Sequence, residues 1–358
     1  MKKVTLAIVL FLACLIPGIG LAAPFAYVTN NADDTVSVID LATNTDVGSP
    51  IVVGDGPFRI ATNGNGTRVY VANMDGDSVS VIDTSTNTVI STISLGIGTA
   101  PVDLVVNPSG TRVYVANAAA DTVSVIDAAT NTVITSITVG NQPYAIAIDP
   151  SGARVYVAHY SDDNVYVIDT ATNTVIGSPI TVGNAPRALA VNPAGDRLYV
   201  ANNGAGSVTV IDTVLNTAIA TIAVGNAPYG LAVNPAGTRL YVANFNSNNV
   251  SVVNTATNTV IGVPIGVGVQ PRGIALNPAG IFVYVVNRGT DAVSIIDAAT
   301  NTVTGASITV GDEPGGIVIL QLPVQGIPTL NEWGMIIFMF LAGLGALSSL
   351  RRHMRARS

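Results

Sequence analysis

Residues 101–139 read PVDLVVNPSGTRVYVANAAADTVSVIDAATNTVITSITV, and this stretch decides the fold. Apolar and polar residues alternate with a period of two at Val123-Ser124-Val125, and β-branched residues dominate, which is typical of strands. Asn107-Pro108-Ser109-Gly110 suits a type I turn followed by a left-handed glycine, so it predicts a hairpin connection. The stretch therefore predicts four short strands, at about 102–107, 112–117, 122–127 and 132–139.

The same sequence unit occurs seven times along the chain. A tetrad such as Tyr27-Val28-Thr29-Asn30 recurs with its last residue at positions 30, 73, 117, 159, 202, 244 and 287. A four-stranded unit of about 43 residues repeated around an axis is typical of a β-propeller blade. The tetrads resemble the YVTN family of β-propeller repeats, and the resemblance covers residues 26–320.

The two ends of the repeat region predict how the ring closes. The chain enters at the second strand of a blade, before Tyr27, and leaves with an extra strand at Pro314–Leu320. We therefore expect an all-β, seven-bladed propeller over residues 24–322, in which the strand at 315–321 completes a blade with residues 26–53. Such closure removes the open sheet edge that invites aggregation.

The N-terminus has the pattern of a secretory signal peptide over residues 1–23. Lys2 and Lys3 precede an apolar run from Val4 to Ile16, and small residues then offer a cleavage site after Ala22. Two alternatives stay open: an uncleaved anchor, and a lipoprotein signal at Cys14.

The C-terminus carries a second targeting signal. After a linker at 323–333, residues 334–350 form an apolar run without a charge, long enough to span a bilayer, and 351–358 form a basic tail. Basic segments that flank a membrane span stay in the cytoplasm, so the N-terminal signal and the C-terminal span both place the repeat region outside the inner membrane. The motif in front of the run consists of Ile327, Pro328, Thr329, Leu330, Glu332, Trp333 and Gly334.

This order of motif, span and arginine cluster resembles the IPTL-CTERM sorting signal of Gram-negative bacteria. The resemblance implies an exosortase-type processing enzyme as a partner, which removes the helix. It implies a precursor anchored in the inner membrane and a mature protein on the cell surface or outside the cell. The alternative is a permanent single-span anchor.

Charge and cysteine usage exclude several classes of function. Hydrophobic residues make up 49% of the chain and charged residues 10%. Between residues 26 and 322 there are nine arginines and no lysine against twenty aspartates and one glutamate, a net charge of −12. Nucleic acid is therefore not expected as a partner, because its phosphates need cations. The single cysteine, Cys14, lies in the predicted signal peptide, so disulfides and a thiolate nucleophile are not expected in the mature chain.

The recurring polar residues are interpreted as architecture. The aspartates that end the third strand, such as Asp127, suit Asx turns, and the asparagines four residues later tolerate left-handed backbone. His159, near Asp162 and Asp163, and the Asp75-Gly76-Asp77 segment are weak candidates for metal ligands. We expect no metal, no cofactor and no catalytic residue.

Function is expected where the copies differ. The residue after the repeat proline begins the innermost strand, so it should lie at one mouth of the central channel. Arg59, Tyr144, Arg187, Tyr229 and Arg272 are the candidate ligand-binding residues there. Tyrosine and arginine together can bind anions or sugars through ring faces and the guanidinium fork. The alternative is that each arginine packs over its blade and pairs with a loop aspartate.

These observations favour an exported binding or interaction module that recognises a surface ligand, protein or glycan, and they predict that it is not an enzyme. Two alternatives are an extracytoplasmic propeller enzyme of the lactonase type and a purely structural surface coat. One histidine, one glutamate and no lysine or cysteine in the repeat region argue against ordinary acid–base catalysis.

Overall fold

A computed structural model describes residues 24–320, which form strands and turns only. The first two blades in chain order contain β1 (Phe25–Asn30), β2 (Thr35–Asp40), β3 (Thr45–Asp46), β4 (Ile51–Val52), β5 (Pro57–Thr62), β6 (Arg68–Asn73), β7 (Ser78–Asp83) and β8 (Thr88–Ser94). The next two contain β9 (Pro101–Val106), β10 (Arg112–Asn117), β11 (Thr122–Asp127), β12 (Thr132–Thr138), β13 (Pro143–Ile148), β14 (Arg154–His159), β15 (Asn164–Asp169) and β16 (Thr174–Thr181).

The remaining strands complete the ring. They are β17 (Pro186–Val191), β18 (Arg197–Asn202), β19 (Ser207–Asp212), β20 (Thr217–Ala223), β21 (Pro228–Val233), β22 (Arg239–Asn244), β23 (Asn249–Asn254), β24 (Thr259–Val260), β25 (Ile265–Gly266), β26 (Pro271–Leu276), β27 (Phe282–Asn287), β28 (Ala292–Asp297), β29 (Thr302–Val303), β30 (Ile308–Thr309) and β31 (Pro314–Ile319). The four strands predicted between residues 102 and 139 match β9–β12 within one residue at each end.

The strands pair antiparallel into seven sheets, which confirms the seven-bladed propeller. Each blade has four positions from the channel outward, as in the order β9, β10, β11, β12. In three blades the outermost strand is split into two short pieces, β3 and β4, β24 and β25, and β29 and β30. A glycine with positive φ lies at each interruption, namely Gly48, Gly262 and Gly305, and it bends the chain where a side chain would be strained.

The ring closes where the sequence predicts. β31 pairs with β1, with Tyr27 opposite Val318, so the last strand becomes the innermost strand of the first blade. Thr29 joins that blade to the next, because its hydroxyl accepts a hydrogen bond from the Gly316 amide at 2.8 Å and donates one to the Phe58 carbonyl at 3.0 Å. Asp33 also accepts a hydrogen bond from the Asp312 amide at 2.8 Å across the junction.

The hydrophobic core consists of clusters formed between neighbouring blades. The tetrad strand β6 and its neighbour β7 pack Tyr70 and Val79 against Leu104 and Val113 of the next blade. All seven tetrad tyrosines are almost completely buried. Where the hydroxyl of a tetrad tyrosine has a hydrogen-bond partner, that partner is the turn asparagine of the following blade, as Asn173 is for Tyr114. The two recurring elements of the repeat therefore fasten neighbouring blades to each other.

The turn predictions are also confirmed. Asp127 accepts hydrogen bonds from the backbone amides of Ala129 and Thr130, as expected for an Asx turn. Asn131 adopts the left-handed conformation, with φ of 54°, and Gly110 does the same with φ of 69°. No helix in residues 24–320 is long and apolar enough to cross a membrane. The predicted signal peptide, sorting motif, span and basic tail lie outside the described residues.

Candidate functional site: the channel mouth

The innermost strands β5, β9, β13, β17, β21, β26 and β31 follow one another around the channel, and each contacts the next. Each begins with a proline, so the residues just after the prolines lie together at one end of the ring. The structure brings all five predicted residues, Arg59, Tyr144, Arg187, Tyr229 and Arg272, into one cluster. We call this cluster the channel mouth.

Arg187 lies at the centre of a hydrogen-bond network. Its Nη1 donates to Tyr144 Oη at 2.6 Å and to Tyr229 Oη at 3.2 Å. The two phenols are themselves 2.8 Å apart. The guanidinium carbon also lies 4.5 Å from the ring centre of Tyr144 and 4.6 Å from that of Tyr160. Cation–π attraction and hydrogen bonding therefore act on the same guanidinium.

Arg272 is held differently, by aromatic rings alone. Its guanidinium carbon lies 5.0 Å from the ring centre of Tyr229, 5.1 Å from that of Phe58 and 5.9 Å from that of Phe245. Its Nε is buried without a partner among residues 24–320. A largely buried guanidinium without such partners retains donors that a bound anion can satisfy.

Arg59 is the third arginine of the channel mouth, and it also contacts Tyr229. Its Nη2 donates to the carbonyl of Tyr229 at 3.2 Å, and its guanidinium carbon lies 5.4 Å from the Tyr229 ring centre. Three guanidiniums thus surround one buried tyrosine. The mouth is strongly positive although the repeat region as a whole is acidic.

Within residues 24–320, no carboxylate oxygen lies within 4.0 Å of these three arginines, so they do not pair with loop aspartates. Several loop carboxylates accept backbone amides instead. Asp163, for example, accepts the Ala185 amide at 2.7 Å, and Asp121 accepts the Gln142 amide at 2.8 Å. Arg288, next to the cluster, pairs instead with Glu313.

The charges change the acidity of the two phenols in opposite directions. Burial opposes ionisation of Tyr229, but the guanidiniums of Arg272, Arg59 and Arg187 outweigh it, so the pKa of Tyr229 lies below its ordinary value. Burial and the neighbouring Tyr229 raise the pKa of Tyr144. Of the two phenols, Tyr229 is therefore the more acidic, and either hydroxyl can donate in the 2.8 Å hydrogen bond between them.

Sequence reasoning missed three residues of the channel. Tyr160 and Phe245 follow the tetrad, and Asp103 lies two residues after a repeat proline. Each lies at a position where the copies differ, which is the signal that identified the other five. Comparing every column of the repeat, rather than one, would have found them.

His159 has an architectural role. Its Nε2 accepts the Gly140 amide at 3.1 Å, the same role that Asn202 Oδ1 plays for Gly183 in the next blade. Its ring packs against Tyr166, with centres 4.4 Å apart. In the described part of the chain, no three His, Cys, Asp or Glu side chains are grouped as metal ligands.

Two family models match the sequence. Residues 135–219 match the model described as Lactonase, 7-bladed beta-propeller, and residues 325–352 match the IPTL-CTERM motif. Together with the fold, these matches confirm the resemblance to β-propeller repeats that carry an IPTL-CTERM sorting signal. The lactonase match includes Tyr144 and Arg187 of the channel mouth. No curated protein sequence matches the chain.

Solved structures share the propeller fold at low identity. The periplasmic gluconolactonase of Pseudomonas aeruginosa is 18% identical with a TM-score of 0.71, covering 84% of this chain and 99% of its own. Hydrazine synthase of Kuenenia stuttgartiensis is 22% identical with a TM-score of 0.67, covering 75% and 96%. A Lactobacillus plantarum protein is 20% identical with a TM-score of 0.73, covering 84% and 99%.

The prediction that this protein is not an enzyme is wrong. The match of residues 135–219 to a lactonase family model overturns it, and the propeller of a gluconolactonase is similar in fold. The physical reason lies in the residue types that were sought. Histidine, glutamate, lysine and cysteine are scarce here, but tyrosine and arginine side chains can also transfer protons and stabilise developing charge.

Proposed function

We propose that this protein is an exported lactone hydrolase whose active site is the channel mouth, and that its substrate is an anionic sugar lactone. The observation that carries the proposal is the convergence of three arginines without carboxylate partners on Tyr229. The lactonase family match over residues 135–219 supports the reaction class.

Substrate binding follows from the free donors of the mouth. Arg272 offers a guanidinium fork to a phosphate or carboxylate of the substrate, and such bidentate contacts are short and strong. Tyr144 and Tyr160, against which Arg187 packs, form an aromatic side of the mouth for the carbons of a sugar ring. The chain thus separates a charge-binding side of the mouth, at Arg272, from a stacking side, at Arg187.

The hydrolytic step uses Tyr229 as the proton acceptor. A water molecule adds to the lactone carbonyl carbon as its proton passes to the Tyr229 phenolate, and Arg187 donates hydrogen bonds to the oxyanion that forms. The ring carbon–oxygen bond then breaks, and the leaving alkoxide takes the proton back from Tyr229. The product is the open-chain hydroxy acid, which loses its carboxyl proton to solvent.

The site of action follows from the C-terminal motif. We propose that an exosortase-type enzyme recognises residues 325–352 and removes the apolar run after export, leaving the propeller at or beyond the cell surface. Sugar lactones outside the inner membrane are then the substrates within reach.

Acid release from gluconolactone and from its 6-phosphate tests this proposal, measured above the uncatalysed background. We expect faster hydrolysis of the phosphorylated lactone, and a loss of about 100-fold in kcat/KM for that substrate in Arg272→Met. Arg112→Met is the matched control, because Arg112 lies on β10 rather than on an inner strand and pairs with Asp127. Wild-type rates equal to the background for both lactones would refute the proposal.

A further inference from the structure

A cavity of about 340 Å³ lies in the channel, beyond the mouth, and extends to the far ends of the inner strands at Thr62, Val106 and Ile148. Tyr144, Arg187, Tyr229 and Arg272 do not line it. This inner cavity therefore shares Arg59 with the channel mouth but none of the other four residues of the mouth.

The cavity wall is aliphatic. Each of the seven blades contributes a leucine or isoleucine from the fourth position of its inner strand, among them Ile60, Leu104, Leu189 and Ile317. The wall thus offers an apolar ring of the kind that buries an alkyl chain, with charged polar groups at one end only.

Those polar groups are Arg59 and Asp103, the two charged residues that line the cavity. Both occupy the position two after the repeat proline, where the other five blades have alanine or glycine. Close packing explains small residues there: a Cβ on Gly230 would lie 2.0 Å from the Arg272 carbonyl oxygen. Packing does not explain a carboxylate and a guanidinium on β5 and β9.

The carboxyl group of Asp103 becomes protonated in mildly acidic solution. Its two oxygens accept the backbone amides of Leu104, at 2.9 Å, and Ile146, at 3.1 Å. Burial raises the pKa of Asp103 to about 6, while Arg59 on β5 opposes the shift.

Asp103 faces few other charges. In the pairing register, neutral Ala116 of β10 lies opposite Asp103, and β13 contributes the backbone amide of Ile146. The arginines of β6 and β10, Arg68 and Arg112, lie at the far ends of their strands. Asp103 therefore titrates chiefly against Arg59.

We propose that the inner cavity binds a medium-chain alkyl carboxylate. Its headgroup accepts hydrogen bonds from Arg59 and from the protonated carboxyl of Asp103, and its tail lies along the aliphatic ring. A carboxylate suits Arg59 because this guanidinium makes one side-chain hydrogen bond within residues 24–320, to the Tyr229 carbonyl. This inference does not depend on hydrolysis at the mouth, because it concerns another ligand class and another section of the channel.

Isothermal titration calorimetry with octanoate on the full propeller tests the proposal at about pH 7.5 and about pH 5.5. Since an alkyl carboxylate has a pKa near that of glutamate, it stays mostly ionised over this range while Asp103 becomes protonated. We expect saturable 1:1 binding whose affinity rises roughly 10- to 25-fold at the lower pH. At about pH 5.5, where Asp103 is mostly protonated, octylamine should bind at least tenfold more weakly than octanoate, because Arg59 repels it.

Variants identify the groups involved. Asp103→Asn should bind octanoate with the same affinity at both pH values, and Arg59→Met should lose at least tenfold in affinity, whereas the matched control Arg112→Met should equal wild type. Thermal melts establish that each variant is folded. Absence of saturable binding, preference for octylamine at about pH 5.5, or an unchanged pH dependence in Asp103→Asn would overturn the proposal. Lactone hydrolysis is a separate readout, so the two proposals fail independently.

Discussion

Arg187 Nη1 lies 2.6 Å from Tyr144 Oη and thereby joins the inner strands β17 and β13 at the channel mouth. A second hydrogen bond, to Tyr229 Oη at 3.2 Å, extends the link to β21. One guanidinium therefore connects three consecutive blades. Arg272, on the next blade, contacts only rings, so the two arginines should differ in what they contribute to stability.

That difference gives the first prediction. Arg187→Met should destabilise the protein by about 1–3 kcal/mol, because it leaves two buried phenols without their charged donor. Arg272→Met should change the free energy of unfolding by less than about 0.5 kcal/mol, because it removes a buried, unpaired charge near two others. Denaturant unfolding of both variants measures this. Equal destabilisation by the two substitutions would show that Arg272 also holds blades together.

Ring closure gives the second prediction. Thr29→Val removes the hydroxyl that bridges the Gly316 amide and the Phe58 carbonyl, leaving two buried backbone groups unpaired. We expect a loss of about 2 kcal/mol or more in unfolding free energy. Thr43→Val, at an exposed turn, is the matched control and should be neutral within about 0.5 kcal/mol. Deleting residues 314–322 should abolish the cooperative melt, and an unchanged melting curve would contradict the closure.

His159 gives a pH-dependent prediction. Burial lowers the pKa of His159 to about 4, so the folded protein keeps it neutral while the unfolded chain takes up a proton below about pH 6.5. Stability should therefore fall between pH 6.5 and pH 4, by about 3 kcal/mol at most from this group.

The double variant His159→Asn with Tyr166→Ser restores the pair found in other blades, such as Asn73 with Ser80. Its unfolding free energy should fall less than that of wild type across the same acid range. Parallel curves for the two proteins would show that His159 does not contribute to the acid sensitivity.

The C-terminal motif gives a prediction about the mature chain. The match of residues 325–352 to the IPTL-CTERM motif leads us to expect that protein from its native host lacks the apolar run. Intact mass spectrometry measures this directly. A mature species that still contains the tryptic peptide spanning Gly334 to Arg351 would leave a permanent anchor as the explanation.

The propeller was predictable because its information is local and repeated. Strand alternation, the Asn-Pro-x-Gly turns and the regular spacing of the tetrads each point to the same blade, and seven copies reinforce the inference. The closure of β31 on β1 followed from counting strands at the two ends.

The channel was less predictable because its properties depend on distances between blades. The column after the proline identified Arg187 and Tyr229, but not that their side chains meet, nor that Tyr160 and Phe245 pack against the same arginines. The shifted acidity of Tyr229 arises from three guanidiniums on three strands that are distant in sequence. No pattern within one repeat contains that information.

The most direct test of the account is the kcat/KM of Tyr229→Phe for the phosphorylated gluconolactone. This substitution keeps the ring that the arginines contact and removes the hydroxyl that accepts the proton. We predict a loss of at least about 100-fold relative to wild type, with a thermal melt that still shows a folded protein. A folded Tyr229→Phe variant that hydrolyses the lactone at the wild-type rate would contradict the assignment of the active site to the channel mouth.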